Sequence, residues 1–181
     1  MKRTKARVFV SVVVAVLCAV AWVLWRWNDQ KVPLPQTIPV VCTGESFAGE
    51  VVSISDGDTV DVMRDGEAVR LRLHNIDTPE RGQAFSRRAK AFTSDQAFHR
   101  VVTVCAVDRD RYGRLVADVT LPDGRSLNRE LVTAGLAWWY RRYSSDQSFG
   151  VLEQEARDAR RGLWAEENPT PPWDWRKEKR R

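Results

Sequence analysis

Three short runs rich in β-branched residues alternate with turn residues at the start of the predicted folded region. Asp56-Gly57 and Asp65-Gly66 separate the runs, and such pairs close tight hairpins. Three successive strands joined in this way form a meander. The predicted strands are residues 50–55, 59–63 and 68–73.

The chain then changes from strand to helix and back to strand. Apolar positions in residues 85–100 match helical spacing only in part, but the content of Ala, Lys, Arg and Gln favours a helix. Strand character returns in residues 101–107 and 115–121. These two strands are separated by a polar loop at residues 108–114.

Two further helices are predicted towards the C-terminus. Asn128 is expected to cap a short helix that runs to Thr133, and residues 151–161 form a charged amphipathic helix that Gly162 ends. Five short strands with a helix inserted after the third predict a β-rich α+β fold. We therefore expect a small five-stranded barrel of the OB type with about three packed helices.

The N-terminus has a different pattern. Residues 8–25 are eighteen residues without a charge, and as a helix they would extend about 27 Å, nearly the width of a bilayer core. The preceding lysines and arginines favour a cytoplasmic N-terminus, and three tryptophans fit an interfacial belt at the far side: Trp22, Trp25 and Trp27. This pattern predicts an apolar helix that anchors the protein by a single membrane pass, with the folded domain outside the cytoplasm.

Two other interpretations of the apolar segment stay open. Ala19-Val20-Ala21 has the small-x-small form of a signal-peptidase site, so the protein could instead be secreted or periplasmic after cleavage. The apolar residues that continue past this site favour the anchor. A buried helix of a soluble domain fits the basic flank less well.

The predicted organisation has four parts. The anchor or signal segment is followed by a proline-containing linker, the folded domain, and a basic tail that contains Pro and Trp. No internal repeat is visible. The boundaries are residues 1–30, 31–45, 46–166 and 167–181.

The positive charge of the chain lies mostly at its two ends. The net charge of the whole chain is +5. Residues 1–31 have a net charge of +5 and residues 176–181 a net charge of +4, so residues 32–175 have a net charge of −4. Overall charge therefore says little about the partner of the folded domain.

The cysteines allow two interpretations. Cys18 lies in the apolar run, and Cys42 and Cys105 lie in the remainder of the chain without the spacing of a zinc site. In a domain outside the cytoplasm, Cys42 and Cys105 could form a disulfide. Two buried free thiols remain the alternative.

Acidic and basic side chains cluster at turns and strand ends. Three acids suit a hard cation such as Ca²⁺, and two arginines suit the paired oxygens of a phosphodiester. In their order and spacing, the motifs around them resemble the staphylococcal nuclease (thermonuclease) family. The motifs are Asp56-Gly57-Asp58-Thr59, Arg72-Leu73, Asp77-Thr78-Pro79-Glu80, Asp110-Arg111-Tyr112-Gly113-Arg114, Leu131-Val132, Gly135-Leu136-Ala137 and Gly162-Leu163-Trp164.

The resemblance implies an OB barrel and a Ca²⁺-dependent nuclease that acts on single-stranded DNA and RNA. Asp58 and Asp77 would supply carboxylate ligands to Ca²⁺, and the backbone carbonyl of Thr78 a further oxygen. Glu80 resembles the glutamate beside the attacking water, as general base or as its positioner. Taken alone, Asp58 would be a turn residue and Glu80 an acid at a helix N-terminus.

The resemblance also assigns the phosphate contacts. Arg72 and Arg114 would hold the scissile phosphate and stabilise the charge of the transition state. Arg70 lies on the same strand face as Arg72, but the five-residue offset from Arg72 to Asp77 favours Arg72. Tyr112 would touch a phosphate or stack near a base, or would simply pack.

Three alternatives concern other residues. Trp138-Trp139-Tyr140 could form a base-stacking platform, although packing is favoured. A mechanism that uses His74 and His99 is disfavoured, because nothing else supports that pair. The rival function is a non-catalytic, membrane-anchored OB-fold module that binds nucleic acid or protein through the basic tail. No protein partner is implied, and a monomer is expected.

Overall fold

The computed structural model describes Cys42 and residues 44–180. The predicted N-terminal apolar helix and most of the predicted linker lie outside these residues. Within the described part of the chain, no helix has the length and apolarity needed to cross a bilayer.

Seven strands lie within residues 44–180. They are β1 (Glu45–Ile54), β2 (Thr59–Arg64), β3 (Glu67–Leu73), β4 (Ile76–Asp77), β5 (Val101–Arg109), β6 (Leu115–Thr120) and β7 (Trp138–Trp139).

Five of these strands close into a barrel in the order β1-β2-β3-β6-β5. Neighbouring strands are antiparallel except for β3 and β6, which run parallel. A separate two-stranded sheet pairs β4 with β7. The predicted barrel is therefore present, although β1 begins five residues before the predicted strand.

Side chains that alternate along the strands fill the barrel. In β6, Leu115, Ala117 and Val119 are buried, while the residues between them are partly exposed. Val60 and Val62 of β2 are fully buried in the same core. This two-residue period is what a closed sheet requires when one face points inward.

Four α-helices lie within residues 44–180. They are α1 (Ser86–Ala97), α2 (Leu127–Thr133), α3 (Gln147–Asp158) and α4 (Pro172–Glu178). Helix α3 begins four residues earlier than predicted, because Asp146 accepts a hydrogen bond from the Ser148 amide and acts as its N-cap. Helix α4 was not predicted, and it lies in the segment interpreted as a basic tail.

The prediction that Asn128 caps α2 is wrong. The N-cap is Ser126, whose side chain accepts from the amide of Arg129. Asn128 is fully buried inside the helix, where its side chain accepts from the Val119 amide and donates to the carbonyl of His74. It therefore ties α2 to the barrel, since a buried amide needs such partners.

A disulfide joins Cys42 to Cys105 of β5. The two Cα atoms are 5.5 Å apart, and the bond spans 63 positions of the sequence. In this structure the two thiols are thus paired rather than buried and free. The bond holds the segment before β1 against the barrel wall.

Candidate active site

Asp58 lies in the turn between β1 and β2, and this turn packs tightly. A Cβ at Gly57 would lie 2.8 Å from the Ala89 side chain and 2.9 Å from that of Thr78, so only glycine fits there. The Gly57 carbonyl accepts a hydrogen bond of 2.6 Å from buried Thr93 of α1. Helix α1 therefore fixes the turn that presents Asp58.

The backbone around Asp58 is bonded to the segment that carries Asp77. The Thr78 amide donates to Asp58 Oδ2 over 2.7 Å, and the Leu73 amide donates to the Asp58 carbonyl over 2.8 Å. Asp58 is 5% exposed and Asp77 is 1% exposed. Two buried acids from distant positions thus lie in one place, and both need charge partners.

Arg72 is the partner that the two acids share. Its Nη2 donates to Asp77 Oδ1 over 2.7 Å, and its Nη1 forms an ion pair with Asp58 Oδ2. Burial alone would lower the pKa of Arg72, but the two carboxylates outweigh burial and raise it. Arg72 is therefore charged and binds both expected metal ligands at once.

Arg70 is directed elsewhere. Its guanidinium binds both carboxylate oxygens of Asp61, at 2.7 and 3.2 Å. This contact decides between the two arginines of β3, because only Arg72 reaches Asp58 and Asp77.

Arg114 approaches the same place from another strand. The parallel pairing of β3 with β6 sets Arg72 beside Val116, so the residue just before β6 lies next to β3. The Arg114 Nη1 is 3.4 Å from the Thr59 hydroxyl, which in turn lies 3.4 Å from Asp58 Oδ1. Topology thus brings together two arginines that lie 42 positions apart.

A rigid loop orients the Arg114 side chain. Asp110 accepts from the Arg114 Nε over 2.7 Å through Oδ2, and from the Tyr112 and Arg114 amides through Oδ1. Partial burial tends to raise the pKa of Asp110, but its bonds to Arg114 outweigh burial and lower it. Tyr112 is 69% exposed and lies 5.6 Å from the Arg114 guanidinium. Its ring is free of the core.

Glu80 meets an arginine that sequence reasoning did not place in the site. Arg176 of α4 donates to Glu80 Oε1 over 2.6 Å and to Asp77 Oδ2 over 2.7 Å. Its Nη1 also lies 3.2 Å from Asp77 Oδ1. The predicted basic tail is therefore partly inside the site, and no short-range sequence signal indicates this.

Asp56 is the second group whose place in the site was missed. It accepts a hydrogen bond of 3.1 Å from the Asp58 amide. Burial and the neighbouring charge of Asp58 raise the pKa of Asp56 to about 6. The sequence did contain a signal for Asp56, because two acids that lie two positions apart in a tight turn must be close together.

The chemistry of these donors fits a hard cation. The described residues contain no ready-made group of three or more His, Cys, Asp or Glu side chains for a metal. However, Asp77 Oδ2 accepts from Arg176 and keeps one lone pair. Among the described residues, Asp58 Oδ1 accepts only a long hydrogen bond of 3.4 Å from the Thr59 hydroxyl. Asp56 adds a third carboxyl group beside Asp58, with its backbone-to-side-chain contact at 3.1 Å. Asp58, Asp77 and the Thr78 carbonyl could thus hold such an ion with waters.

The aromatic triplet mainly packs. Trp138 and Trp139 are 6% and 7% exposed, and Trp138 makes edge contacts with Trp164 and Trp173. Packing was the favoured interpretation for these two residues. The two histidines contact different acids, His74 with Asp118 at 3.4 Å and His99 with Glu50 at 2.9 Å.

Comparison with known proteins gives consistent matches over most of this chain. The model of the family described as staphylococcal nuclease homologue matches residues 70–166. An uncharacterized endonuclease of Escherichia coli is 44% identical over 141 residues, covering 78% of this chain and 91% of that protein. A micrococcal nuclease of Shigella flexneri is 42% identical over 141 residues, covering 72% of this chain and 81% of that protein.

Proposed function

The chain belongs to the family of staphylococcal nuclease homologues and is a nuclease, and we propose that it hydrolyses single-stranded DNA and RNA with Ca²⁺ as its metal. One observation carries the proposal. Arg72 binds Asp58 and Asp77 at the same time, at a point that Arg114 approaches from the position just before β6. A pair of acids beside two arginines is what a phosphodiester and a divalent cation require together.

Asp58, Asp77 and the Thr78 carbonyl would hold the ion. When bound, Ca²⁺ would supply positive charge against the phosphate oxygens. Only oxygen donors are involved, which suits a hard cation that tolerates irregular geometry.

Glu80 would act on the attacking water. The water oxygen forms a bond to phosphorus while the bond from phosphorus to one ester oxygen breaks. The water loses one proton, either to Glu80 or, if Glu80 only holds the water in line, to solvent, and the leaving oxygen takes up a proton from solvent. Glu80 suits this role because its side chain is 39% exposed at the edge of the buried acids.

Arg72 and Arg114 would bind the non-bridging oxygens of the scissile phosphate. Both are partly or largely buried, with side chains 14% and 27% exposed, so their charges act in a weakly screened environment. Donors that are already oriented stabilise the charge that develops on phosphorus without reorganising.

The exposed side chain of Tyr112 supports the proposed preference for single-stranded substrates. Its exposed ring lies beside Arg114, so it can stack on an unpaired base next to the scissile phosphate. Bases in a duplex are already stacked on each other and offer no free face.

We also propose that the domain lies outside the cytoplasm on a single-pass membrane anchor. The charge-free run at residues 8–25 behind a basic flank supports the anchor, and the Cys42–Cys105 disulfide supports an oxidising compartment. Externally added protease should reach the domain in spheroplasts. A soluble form that starts near Trp22 would overturn the anchor in favour of a cleaved signal.

Cleavage assays on the full chain test the proposed activity. Single-stranded DNA, RNA and duplex DNA of the same sequence are each incubated with Ca²⁺ and with excess chelator. We expect the single-stranded substrates to be cut faster than the duplex, and only with Ca²⁺. Full activity in chelator would contradict the proposed dependence on Ca²⁺. Faster cutting of the duplex would contradict the proposed preference for single strands.

A further inference from the structure

The segment after the matched family domain packs back onto the active site. Residues 167–171 lead into α4, and the stacked rings of Trp173 and Tyr140 hold this helix, with centroids 5.4 Å apart and planes 2° from parallel. Pro172 is buried at its first turn. The position of α4 is therefore fixed by apolar packing and does not depend on charge alone.

This packing delivers Arg176 to the carboxylates. The guanidinium uses Nη2 on Asp77 Oδ2 at 2.7 Å and Nη1 on Glu80 Oε1 at 2.6 Å, so it bridges two acids. Burial would lower the pKa of Arg176, but the bonds to Asp77 and Glu80 outweigh it and raise it. Arg176 is thus charged in the site.

Glu80 depends on the same segment in two ways. Among the described residues, Arg176 is the one that binds the Glu80 carboxylate. The Glu80 amide donates to Gln83 Oε1 over 3.0 Å, and the Gln83 side-chain amide donates to the Thr170 carbonyl. Arg176 therefore binds the Glu80 side chain directly, and Thr170 supports the Glu80 backbone indirectly, through Gln83.

We propose that Arg176, which α4 delivers to the site, is a positioning residue for the nuclease reaction. By bridging Asp77 and Glu80, it fixes the carboxylate that acts on water relative to the carboxylate that binds the ion. This inference rests on the proposed function. It assigns a role to a side chain outside the matched family segment, residues 70–166.

The charge of Arg176 gives the proposal a distinctive signature. A positive group on Asp77 opposes a cation at the same carboxylate, so removing it should leave Ca²⁺ affinity unchanged or increase it. Removing it also frees Glu80, and displacement of a reacting group by about 1 Å can cost roughly 100-fold in rate. Loss of Arg176 should therefore lower turnover without weakening Ca²⁺ binding.

The test compares Arg176→Ala and Arg176→Lys with Lys177→Ala in the full chain. Lys177→Ala is the matched control, because it removes a positive charge one position away, from a side chain that pairs with Asp174. We measure kcat on single-stranded DNA at saturating Ca²⁺, Ca²⁺ affinity by calorimetry, and the melting temperature. Arg176→Ala should lower kcat roughly 10- to 100-fold with Ca²⁺ affinity unchanged or tighter.

The other two variants test whether the planar guanidinium and its position are both needed. Arg176→Lys should recover part of kcat, because an ammonium can reach one carboxylate but cannot bridge two as the planar fork does. Lys177→Ala should match the wild type. Equal or higher kcat in Arg176→Ala would overturn the positioning role, and a higher value would make α4 an inhibitory arm.

Two further outcomes are separable. Parallel loss of kcat and Ca²⁺ affinity in Arg176→Ala would overturn the proposal by making Arg176 a support of Asp77 itself. A wild-type chain that cleaves no nucleic acid under any of these conditions would overturn the proposed function and this role with it. An active wild type with an equally active Arg176→Ala overturns only the role of Arg176.

Discussion

Arg72 and Asp77 form a buried ion pair of 2.7 Å across a turn of the same chain segment, five positions apart. The pair closes the end of β3 against β4 and leaves the second guanidinium nitrogen for Asp58. Because the side chain of Asp77 is 1% exposed, loss of Arg72 would leave its buried charge with Arg176 as its one cationic partner among the described residues. The five-residue spacing that identified Arg72 in the sequence is thus the geometry that builds the site.

Arg114 should affect rate more than folding. Arg114→Ala should lower turnover by roughly 10³-fold, the scale seen when one preorganised donor is removed. Arg114→Lys should recover little, because it keeps the charge but loses the planar fork. Single-turnover cleavage and melting curves measure the two effects.

Arg87→Ala is the control for Arg114. Arg87 is an exposed arginine on α1, outside the loop that holds Arg114. It should keep normal turnover. If Arg114→Ala melts early but cleaves at the normal rate when folded, Arg114 is structural.

Metal dependence should follow the oxygen donor set. Ca²⁺ should support activity, Mg²⁺ less, because it demands a tight octahedral shell. Zn²⁺ should not replace Ca²⁺, since it prefers nitrogen and sulfur ligands. Initial rates after chelation and addition of each metal measure this order, and rescue by Zn²⁺ alone would contradict it.

Asp56 should make the metal-free protein less stable as pH rises. Its pKa is raised to about 6 from 3.8, so between these values the folded state binds more protons than the unfolded state. The free energy of unfolding therefore falls as pH rises through this window. Asp56→Asn should stabilise the metal-free protein above pH 6 by about 1 to 3 kcal/mol.

Ca²⁺ should remove most of that advantage. A bound cation favours the ionised form of nearby acids, so the wild type should gain more stability from Ca²⁺ than Asp56→Asn does. Urea unfolding at pH 5 and pH 7.5, with and without Ca²⁺, measures both effects. If Asp56→Asn has the same free energy of unfolding as the wild type above pH 6, burial and Asp58 do not raise the pKa of Asp56.

The Cys42–Cys105 disulfide should contribute to stability and not to chemistry. A loop of 63 positions corresponds to about 4 kcal/mol on the chain-entropy estimate. Reduction should lower the free energy of unfolding by that order while turnover of the folded protein stays the same. Alkylation of both Cys42 and Cys105 in unreduced, denatured protein from the cell envelope would show that the pair does not form there.

The barrel and the polar constellation could be predicted because their signals are local. Asp-Gly turns mark the hairpins, and Asp58, Arg72 and Asp77 lie within twenty positions of one another. The Asn128 cap failed for a tertiary reason, since burial against Val119 and His74 outweighed its capping preference.

Helix α4 and Arg176 could not be found in this way. Arg176 meets Asp77 across 99 positions, and the contact depends on Trp173 stacking on Tyr140. Neither partner has a motif that points to the other. A short basic segment at a chain end is usually solvated, so pattern alone favours a tail.

Glu80→Gln tests the central claim most directly, because it removes the carboxylate that is to act on water and keeps the shape of the side chain. The measurement is the single-turnover rate on single-stranded DNA at saturating Ca²⁺, with Ca²⁺ affinity and melting temperature measured alongside. We expect the rate to fall by roughly 10² to 10⁴-fold while the protein remains folded and binds Ca²⁺. A folded Glu80→Gln protein that cleaves at the wild-type rate would contradict the account and place catalysis elsewhere in the chain.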